Sequence, residues 1–348
     1  MGVTVVIGGQ YGSEGKGRVA QFLALRDHAA AVVRVGGPNS GHTGISRAGT
    51  RIVLRQLPTA ALSENADCMM GPGSYVDPEL LFREIELTGI EPSRVLVDAN
   101  AMVVSTVDRE AEQAAELTSR IGSTASGTGA AVIRRIQRGE ETALARDIAS
   151  LAPYVGDTTA KLRALLDRGA RVVVEGTQGF GLSLLHTPYY PYATSRDTSA
   201  AGAVSEAGLS PRDVDGIAMV IRAYPIRVAG NSGPLTDETT WEAVTLSSQS
   251  ADRLEEFTSV TGRLRRIAEF DPEIVRRAIA VNSPTEIFLN HVDYVDAVCR
   301  TTGHFTPRAR AFVTRTGRDI GWPIAYAGIG PESSFVDLRR PQTLAASS

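Results

Sequence analysis

The chain has 348 residues, 43% of them hydrophobic, and a net charge of −3. This composition is typical of a globular protein with a large core. The slightly negative charge gives no sign of non-specific nucleic-acid binding, so no nucleic-acid partner is expected. Two cysteines, Cys68 and Cys299, are too few for a disulfide framework and are expected to be reduced and buried.

The start of the chain runs directly into a strand and a glycine-rich loop, with no signal-peptide pattern. No apolar run reaches the roughly 18 residues that a membrane span requires. We therefore expect a cytoplasmic protein without a membrane partner.

Short β-rich runs alternate with helical patterns along the chain. Buried strands are predicted at residues 3–7, 31–35, 171–174, 217–221 and 286–289, and helices at about 15–26, 107–120 and 308–320. The alternation predicts an α/β fold with a mainly parallel central sheet flanked by helices. No repeat or linker divides the chain, so one domain over residues 1–348 is expected. Polar segments follow several strands, where parallel sheets bind their ligands.

A glycine-rich loop, residues 8–17 with the sequence GGQYGSEGKG, follows the first strand and precedes a helix. Backbone N–H groups of such a turn form a cradle for phosphate, and Lys16 can neutralise phosphate charge. The loop is not a Walker A motif, because Gln10 and Gly17 stand where that motif requires Gly and Ser or Thr. A tight structural turn is the alternative, but five glycines with a lysine favour a nucleoside triphosphate site.

Read in full, this loop resembles the phosphate loop of adenylosuccinate synthetase. Four further segments are similar to motifs of that family, in the same order: residues 36–43 (GGPNSGHT), 175–179 (EGTQG), 190–195 (YPYATS) and 261–266 (TGRLRR). The family phosphorylates O6 of a 6-oxopurine nucleotide with a nucleoside triphosphate and then replaces that phosphate by L-aspartate. The resemblance therefore implies a Mg²⁺-dependent ligase with the P-loop-like nucleotide-binding architecture of this family.

The resemblance also assigns the catalytic and phosphate-binding groups. The catalytic candidates are Ser13, Lys16, His42 and Gln178; His42 matches the general acid at O6, and Gln178 matches the residue that binds the purine 6-oxygen. The donor phosphates are assigned to Gly12, Ser13, Glu14, Gly15, Lys16, Gly17, Gly41, His42 and Thr43. Mg²⁺ is assigned to Ser13 and the Gly41 carbonyl. Ordinary structural hydrogen bonding is the alternative role for His42 and Gln178.

The purine monophosphate site is assigned in the same way to Ser13, Asn39, Ser123, Thr124, Arg134, Gln178, Thr194, Val228 and Arg263. The hydroxyls would bind the 5′-phosphate, although Ser and Thr also commonly cap helices and turns. Arg134 resembles an arginine that reaches the 5′-phosphate of a neighbouring subunit, which implies a homodimer; the shortened spacing leaves Arg135 as the alternative.

The carboxylates of L-aspartate are assigned to a pocket formed by Asn39, Thr261, Arg263 and Arg265. Forked guanidinium groups suit carboxylates. A solvated basic run is the alternative interpretation of these arginines.

One residue of the phosphate loop departs from the family. The family's catalytic base is an aspartate where this chain has Ser13, and a serine is a poor base. Either the chain is an inactive nucleotide-binding regulator, or it uses another purine. A small neutral side chain leaves room for the 2-amino group of guanine, and the phage branch of the family, which uses dGMP for 2-aminoadenine DNA synthesis, has this substitution. The dGMP reaction, in the host cytoplasm if the chain is phage-encoded, is our hypothesis; an ordinary IMP- and GTP-using enzyme is the alternative.

The donor base is assigned to Asn290, His291, Asp293, Gly328 and Gly330. The family reads guanine with a Lys-x-Asp motif, in which the aspartate accepts from guanine N1–H and the 2-amino group. Here His291 replaces the lysine and Gly328 replaces a serine near the base. ATP or dATP is therefore favoured, and GTP stays open because Asp293 is kept.

Overall fold

The computed structural model describes residues 2–63, 65–258, 262–330 and 335–339. The strands of this part are β1 (Val3–Gly8), β2 (Ala31–Arg34), β3 (His42–Ile45), β4 (Arg51–Leu54), β5 (Asp67–Met70), β6 (Tyr75–Val76), β7 (Val95–Asp98), β8 (Met102–Val103), β9 (Val155–Gly156), β10 (Val172–Glu175), β11 (Val214–Arg222), β12 (Ile226–Arg227), β13 (Glu238–Thr239), β14 (Arg266–Ala268), β15 (Glu286–Asn290), β16 (Tyr326–Ala327) and β17 (Val336–Asp337). The helices are α1 (Lys16–Arg26), α2 (Pro78–Thr88), α3 (Thr106–Ala114), α4 (Leu117–Ile121), α5 (Thr128–Gln137), α6 (Thr158–Asp167), α7 (Ala200–Glu206), α8 (Trp241–Ser248), α9 (Pro272–Asn282), α10 (Val298–Thr302) and α11 (Pro307–Ile320).

The main sheet runs in the order β17-β16-β15-β11-β1-β10-β2-β5-β7-β9 within the described ranges. Its neighbouring strands pair in parallel except for β16 with β17. The predicted mainly parallel α/β sheet is therefore confirmed. β1 lies near the middle of the sheet, so the loop that follows it emerges at the centre of the carboxyl edge.

Both faces of the sheet are covered, which explains why its strands read as continuous apolar runs. All six residues of β1 are buried. Val5 and Ile7 belong to the core that includes α7 and α9, whereas Val6 belongs to the core on the other face, with Val19 and Leu23 of α1. Among the described helices, none combines the length and the apolar character that crossing a bilayer requires.

The predicted single helix over residues 107–120 is wrong, because the structure has two helices there. α3 ends at Ala114, and Glu116 takes a left-handed conformation with φ 51° before α4 begins. Near the end of α3, the Glu112 carboxylate accepts backbone N–H groups of Gly127 at 2.9 Å and Gly129 at 2.6 Å, at the start of α5. The turn at Glu116 lets α3 cap α5 while α4 redirects the chain toward Ser123.

Candidate active site

The phosphate loop is held in shape by the buried carboxylate of Glu14. This carboxylate accepts the backbone N–H groups of Gln10 at 3.2 Å and Gly12 at 2.8 Å. It also forms an ion pair with the Lys16 ammonium group, at 2.6 Å. Because the side chains of both ions are almost fully buried, the pair fixes the lysine at the start of α1. The first helical turn thus combines its backbone N–H groups with a positioned cation, the combination that binds phosphate.

Glycines let other segments approach the start of α1 closely. A Cβ atom at Gly17 would lie 2.8 Å from the Cβ of His42 and 2.9 Å from the carbonyl oxygen of Thr43. A Cβ atom at Gly15, whose φ is 92°, would lie 2.6 Å from the amide nitrogen of Asn290. The structure therefore brings β3 and the end of β15 against the phosphate loop.

His42 is oriented by a fully buried carboxylate. Its Nδ1 lies 2.6 Å from Oε1 of Glu175 and donates to it, because a carboxylate can only accept. Glu175 also accepts from Arg34 at 3.2 Å and from the backbone N–H of Thr59 at 3.0 Å. Burial, helped by the charge of Arg34, lowers the pKa of His42 to about 4.

The other ring nitrogen of His42, Nε2, is buried and has no partner among the described residues. With Nδ1 holding its hydrogen toward Glu175, Nε2 is the atom left for a ligand. An anionic phosphate beside it would favour the protonated ring, in which Nε2 donates.

Gln178 follows β10 in a left-handed conformation with φ 61°. Its neighbour Gly179 lies against the phosphate loop, since a Cβ atom there would be 2.4 Å from the carbonyl oxygen of Gln10. The side-chain Oε1 of Gln178 is buried without a partner within the described ranges. A left-handed non-glycine residue is strained, and such residues cluster at functional sites.

A chain of hydroxyls follows Ser123. The Thr124 hydroxyl lies 3.1 Å from that of Ser126, which in turn lies 3.4 Å from the hydroxyl of Thr128. A Cβ atom at Gly37 would be 2.6 Å from the Thr128 methyl, so this segment lies beside the loop that carries Asn39.

Val228 and Thr194 are also assigned to the purine monophosphate. Val228 lies close to Gly122, where a Cβ atom would be 3.1 Å from its methyl group. Thr194 donates its backbone N–H to the carbonyl of Leu182 at 2.7 Å.

The two adjacent arginines of α5 have different surroundings. Arg134 donates to the Asp108 carboxylate at 2.6 Å and to the carbonyl of Val103 at 2.9 Å. Arg135 has a buried Nη1 without a partner in the described part of the chain. Arg134 is therefore engaged within its own chain, and Arg135 has the unsatisfied donor.

The arginines assigned to L-aspartate are placed differently. Arg265 donates from Nη1 to the hydroxyl of Ser13 and from Nε to the carbonyl of Phe257 at 3.2 Å. Arg263 is exposed, Asn39 has a partly buried side chain whose Oδ1 lacks a partner among the described residues, and Thr261 lies outside those residues. The structure thus joins Arg265, but not Arg263, to the phosphate loop.

Sequence reasoning missed an ion pair behind Ser13. Arg222, fully buried at the end of β11, donates to the Ser13 carbonyl at 2.9 Å and pairs with Glu256. Glu256 also accepts from the Tyr294 hydroxyl at 3.0 Å. Burial alone would raise the pKa of Glu256, but the charge of Arg222 holds it well below its usual range. The sequence could have suggested Arg222, because it is a charged residue at the end of a predicted strand. No sequence feature points to Glu256.

The segment after β15 carries the residues assigned to the donor base. The Asn290 amide nitrogen donates to the Glu14 carbonyl at 2.7 Å, and a Cβ atom at Gly328 would be 2.6 Å from its Oδ1. His291 is left-handed with φ 59°, and its ring centroid lies 4.9 Å from that of Tyr294. Burial lowers the pKa of His291 to about 3, so the ring is neutral at pH 7.

Asp293 and Gly330 are also assigned to the donor base. Asp293 is buried, with 4% of its surface exposed, and burial raises its pKa to about 6. Gly330 lies two residues beyond Gly328 and is partly buried.

Five of the assigned residues carry a buried polar atom without a partner in the described ranges. These atoms are Asn39 Oδ1, His42 Nε2, Gln178 Oε1, Asn290 Oδ1 and Asp293 Oδ1. Other such atoms, including those of Tyr11 and Arg227, lie outside the assigned positions. An unsatisfied buried polar group costs about 1–3 kcal/mol, and native proteins have few of them. Those on the assigned residues indicate a site for a polar ligand.

Comparison with known proteins identifies the family. The family model described as adenylosuccinate synthetase matches residues 5–145 and 140–302. The chain is 33% identical over 348 residues to adenylosuccinate synthetase from Archaeoglobus fulgidus, across 98% of this chain and 99% of the relative. It is 36% identical to the enzyme from Thermococcus sibiricus, across 96% and 98%. The chain belongs to the adenylosuccinate synthetase family.

Two solved structures are similar to this family member. The succinoaminodeoxyadenylate synthetase of cyanophage S-2L, bound to dGMP and to dATP as an energy donor, shares 31% identity with a TM-score of 0.80, across 97% of this chain and 95% of that one. The fully ligated adenylosuccinate synthetase of Plasmodium falciparum has a TM-score of 0.84 across 97% and 100%, and at 18% identity it shows the shared fold. The chain is thus an adenylosuccinate synthetase-type, nucleotide-dependent ligase.

The donor set of this ligase fits one mode of Mg²⁺ binding. The described residues contain no cluster of three or more His, Cys, Asp or Glu side chains suited to a metal. Mg²⁺ at nucleotide sites takes most of its ligands from phosphates and water. The Gly41 carbonyl is a neutral oxygen that could complete such a shell, whereas the Ser13 hydroxyl already accepts from Arg265.

Proposed function

We propose that the chain joins L-aspartate to C6 of dGMP, with ATP or dATP as phosphate donor. The product would be 2-amino-2′-deoxy-N6-succinyladenylate, for synthesis of DNA that contains 2-aminoadenine. The observation that carries this proposal is Ser13, exposed on the phosphate loop at the family's carboxylate position. A short neutral side chain leaves space for the 2-amino group of guanine. The likeness to a phage enzyme bound to dGMP and dATP supports the same reading.

In the first step, O6 of the purine attacks the γ-phosphorus, and the bond to the β,γ-bridging oxygen breaks with both electrons leaving on the nucleoside diphosphate. Lys16 neutralises phosphate charge, and bound Mg²⁺ would supply further charge neutralisation there. Nε2 of His42, oriented by Glu175, would donate to the oxygens that gain charge. Gln178 would hold the 6-oxygen in line.

The N1 proton must leave without the family's carboxylate. Arg265 donates to Oγ of Ser13, so the hydroxyl hydrogen is directed away from Arg265. Oγ can then take the N1 proton while passing its own hydrogen to water or to a phosphate oxygen. In the second step the aspartate amine bonds to C6, and the C6–O6 bond breaks with both electrons leaving on phosphate, which also takes the proton that the amine loses.

The proposal includes a homodimer in the cytoplasm, or in the host cytoplasm for a phage enzyme. An arginine of α5 would reach the 5′-phosphate of the second subunit. Arg134 was the assigned residue, but its pairing with Asp108 favours its neighbour Arg135. Ile133 and Ile136 of α5 are 60% and 70% exposed, which favours contact with a second copy.

Product analysis tests the substrate. Purified enzyme receives aspartate, ATP and one of dGMP, GMP or IMP, and mass spectrometry detects the succinylated nucleotide. A product from dGMP is expected. A product from IMP alone would establish the ordinary adenylosuccinate synthetase instead. Tight nucleotide binding without phosphate release in any mixture would indicate an inactive regulator.

Ser13→Asp is the matching variant. Aspartate tolerates the left-handed conformation at this position, where φ is 58°. Its larger, charged side chain should crowd the 2-amino group and lower kcat/KM for dGMP about 100-fold, or about 2.7 kcal/mol. Ser13→Ala is the control for crowding, since it removes the proton relay but adds no bulk. Unchanged dGMP turnover by Ser13→Asp would refute the role given to the serine.

A further inference from the structure

Two buried oxygen atoms without partners lie on the segment that follows β15. Asn290 Oδ1 is one of them, and its identity as oxygen is fixed because the amide nitrogen donates to the Glu14 carbonyl at 2.7 Å. Asp293 Oδ1 is the other. Asp293 is 4% exposed and forms no ion pair with any described residue. The Asn290 side chain contacts Glu14 and Gly15 just before α1, where the donor phosphates are assigned, and Asp293 follows three residues later in the same segment.

The groups that influence Asp293 carry both signs of charge. They are Arg300 on α10, Glu256, Arg222 on β11, and the neighbouring Tyr294 and Cys299. Arg300 and Arg222 favour the ionised carboxylate, whereas Glu256 and burial oppose it. An ionised carboxylate that is buried without a paired cation is costly, so the neutral acid is accessible here.

The two protonation states of a carboxyl group match different purines. An ionised carboxylate presents only acceptors, which suit N1–H and the 2-amino group of guanine. A neutral carboxylic acid presents one donor and one acceptor, which suit N1 and the 6-amino group of adenine. The fixed acceptor of Asn290 also suits a 6-amino group better than a 6-oxo oxygen.

We propose that Asp293 binds the adenine of the phosphate donor as a neutral carboxylic acid and thereby sets the choice of ATP or dATP over GTP. This inference rests on the adenine donor of the proposed function. Asp293 would bind adenine as a neutral acid and guanine as a carboxylate, so the preferred base can change without a change of residue type.

Equilibrium binding tests the proposal without the ligase reaction. The probes are the β,γ-imido analogues of ATP and GTP, titrated into the wild-type enzyme between pH 6 and pH 8 without dGMP or aspartate. Because burial raises the pKa of Asp293 to about 6, the Kd of the ATP analogue should rise about 50-fold over this range. Over the same pH range, the ratio of the Kd of the GTP analogue to the Kd of the ATP analogue should fall. In the free enzyme the pKa values of His42 and His291 are lowered to about 4 and about 3, so neither ring titrates there. Any protonation of His42 by the bound phosphates would occur equally in the Asp293→Asn variant.

Asp293→Asn is the matched control. Asparagine has the same shape, always presents one donor and one acceptor, and does not titrate. The variant should lose the GTP analogue and bind the ATP analogue with only the small pH dependence of the triphosphate itself. The proposal is overturned if the ATP analogue shows the same pH dependence in wild type and variant. It is also overturned if wild type prefers the GTP analogue at every pH, whereas failure to bind either analogue would refute the proposed ligase itself.

Discussion

Glu175→Gln should separate the orientation of His42 from the rest of the site. Glu175 is fully buried; its Oε1 receives His42 and Arg34, and its Oε2 receives the backbone N–H and the hydroxyl of Thr59 at 3.0 and 2.9 Å. Glutamine keeps one acceptor and places an amide N–H₂ group against the other set of donors. It also leaves the buried Arg34 guanidinium without its countercharge.

Breaking one partner of a buried ion pair costs about 3–5 kcal/mol. The unfolding entropy is about 2.1 cal/mol/K per residue, so in a chain of 348 residues each kcal/mol lowers Tm by roughly 1.4 °C, and a decrease of about 4–7 °C is expected for Glu175→Gln. Burial would raise the pKa of Glu175, but His42 and Arg34 hold it below its usual range. This contribution to stability is therefore present above about pH 4.3 and is lost in the wild type as pH falls through the lower folded-state pKa.

The activity assay is phosphate release under saturating substrates. We expect kcat of Glu175→Gln to fall about 100-fold, because the general acid loses its orientation. His42→Asn provides the control background, in which the added Glu175→Gln should have little further effect on kcat. An equal loss in both backgrounds, or an unchanged Tm, would refute the reasoning.

Two further variants test packing behind and beside the phosphate loop. Glu256→Gln removes the countercharge of the buried Arg222. It should lower the unfolding free energy by about 3 kcal/mol, measured by urea denaturation. It should also raise KM for aspartate about 10-fold, measured by initial rates. Gly17→Ala should destabilise the chain by about 1–3 kcal/mol and reduce kcat, since its Cβ would lie 2.8 Å from that of His42. Gly139→Ala, with no atom within 4 Å of the added Cβ, is the control for thermal unfolding and should be nearly neutral.

Local chemistry made much of the fold and of the phosphate loop predictable. Apolar runs define β1 and β10, and each ends in the segment that carries site residues, so the sequence placed Lys16 and Gln178 at the same sheet edge. The break at Glu116 was not predictable, because the apolar pattern continues across it and the turn depends on Glu112 capping α5.

Contacts between residues that are far apart in the sequence could also not be predicted. Arg222 and Glu256 are 34 positions apart, and no local pattern pairs them. Arg134 and Arg135 are neighbours with the same chemistry, and successive helical side chains point about 100° apart. Only the packing of α5 on Asp108 shows which of the two is engaged internally. The individual roles assigned to the site residues stay predictions.

The order of strands places the two segments assigned to base recognition on opposite sides of one loop. Gln178 follows β10, on one side of β1, whereas Asn290 and Asp293 follow β15, beyond β11 on the other side. Both segments contact that loop, because Gly179 lies against Gln10 and Glu14 while Asn290 donates to the Glu14 carbonyl. Free-energy effects of changes at positions that share a partner often fail to add. We therefore expect the choice of purine substrate and the choice of energy donor to be coupled, so that an exchange of one segment with a relative also alters the other preference.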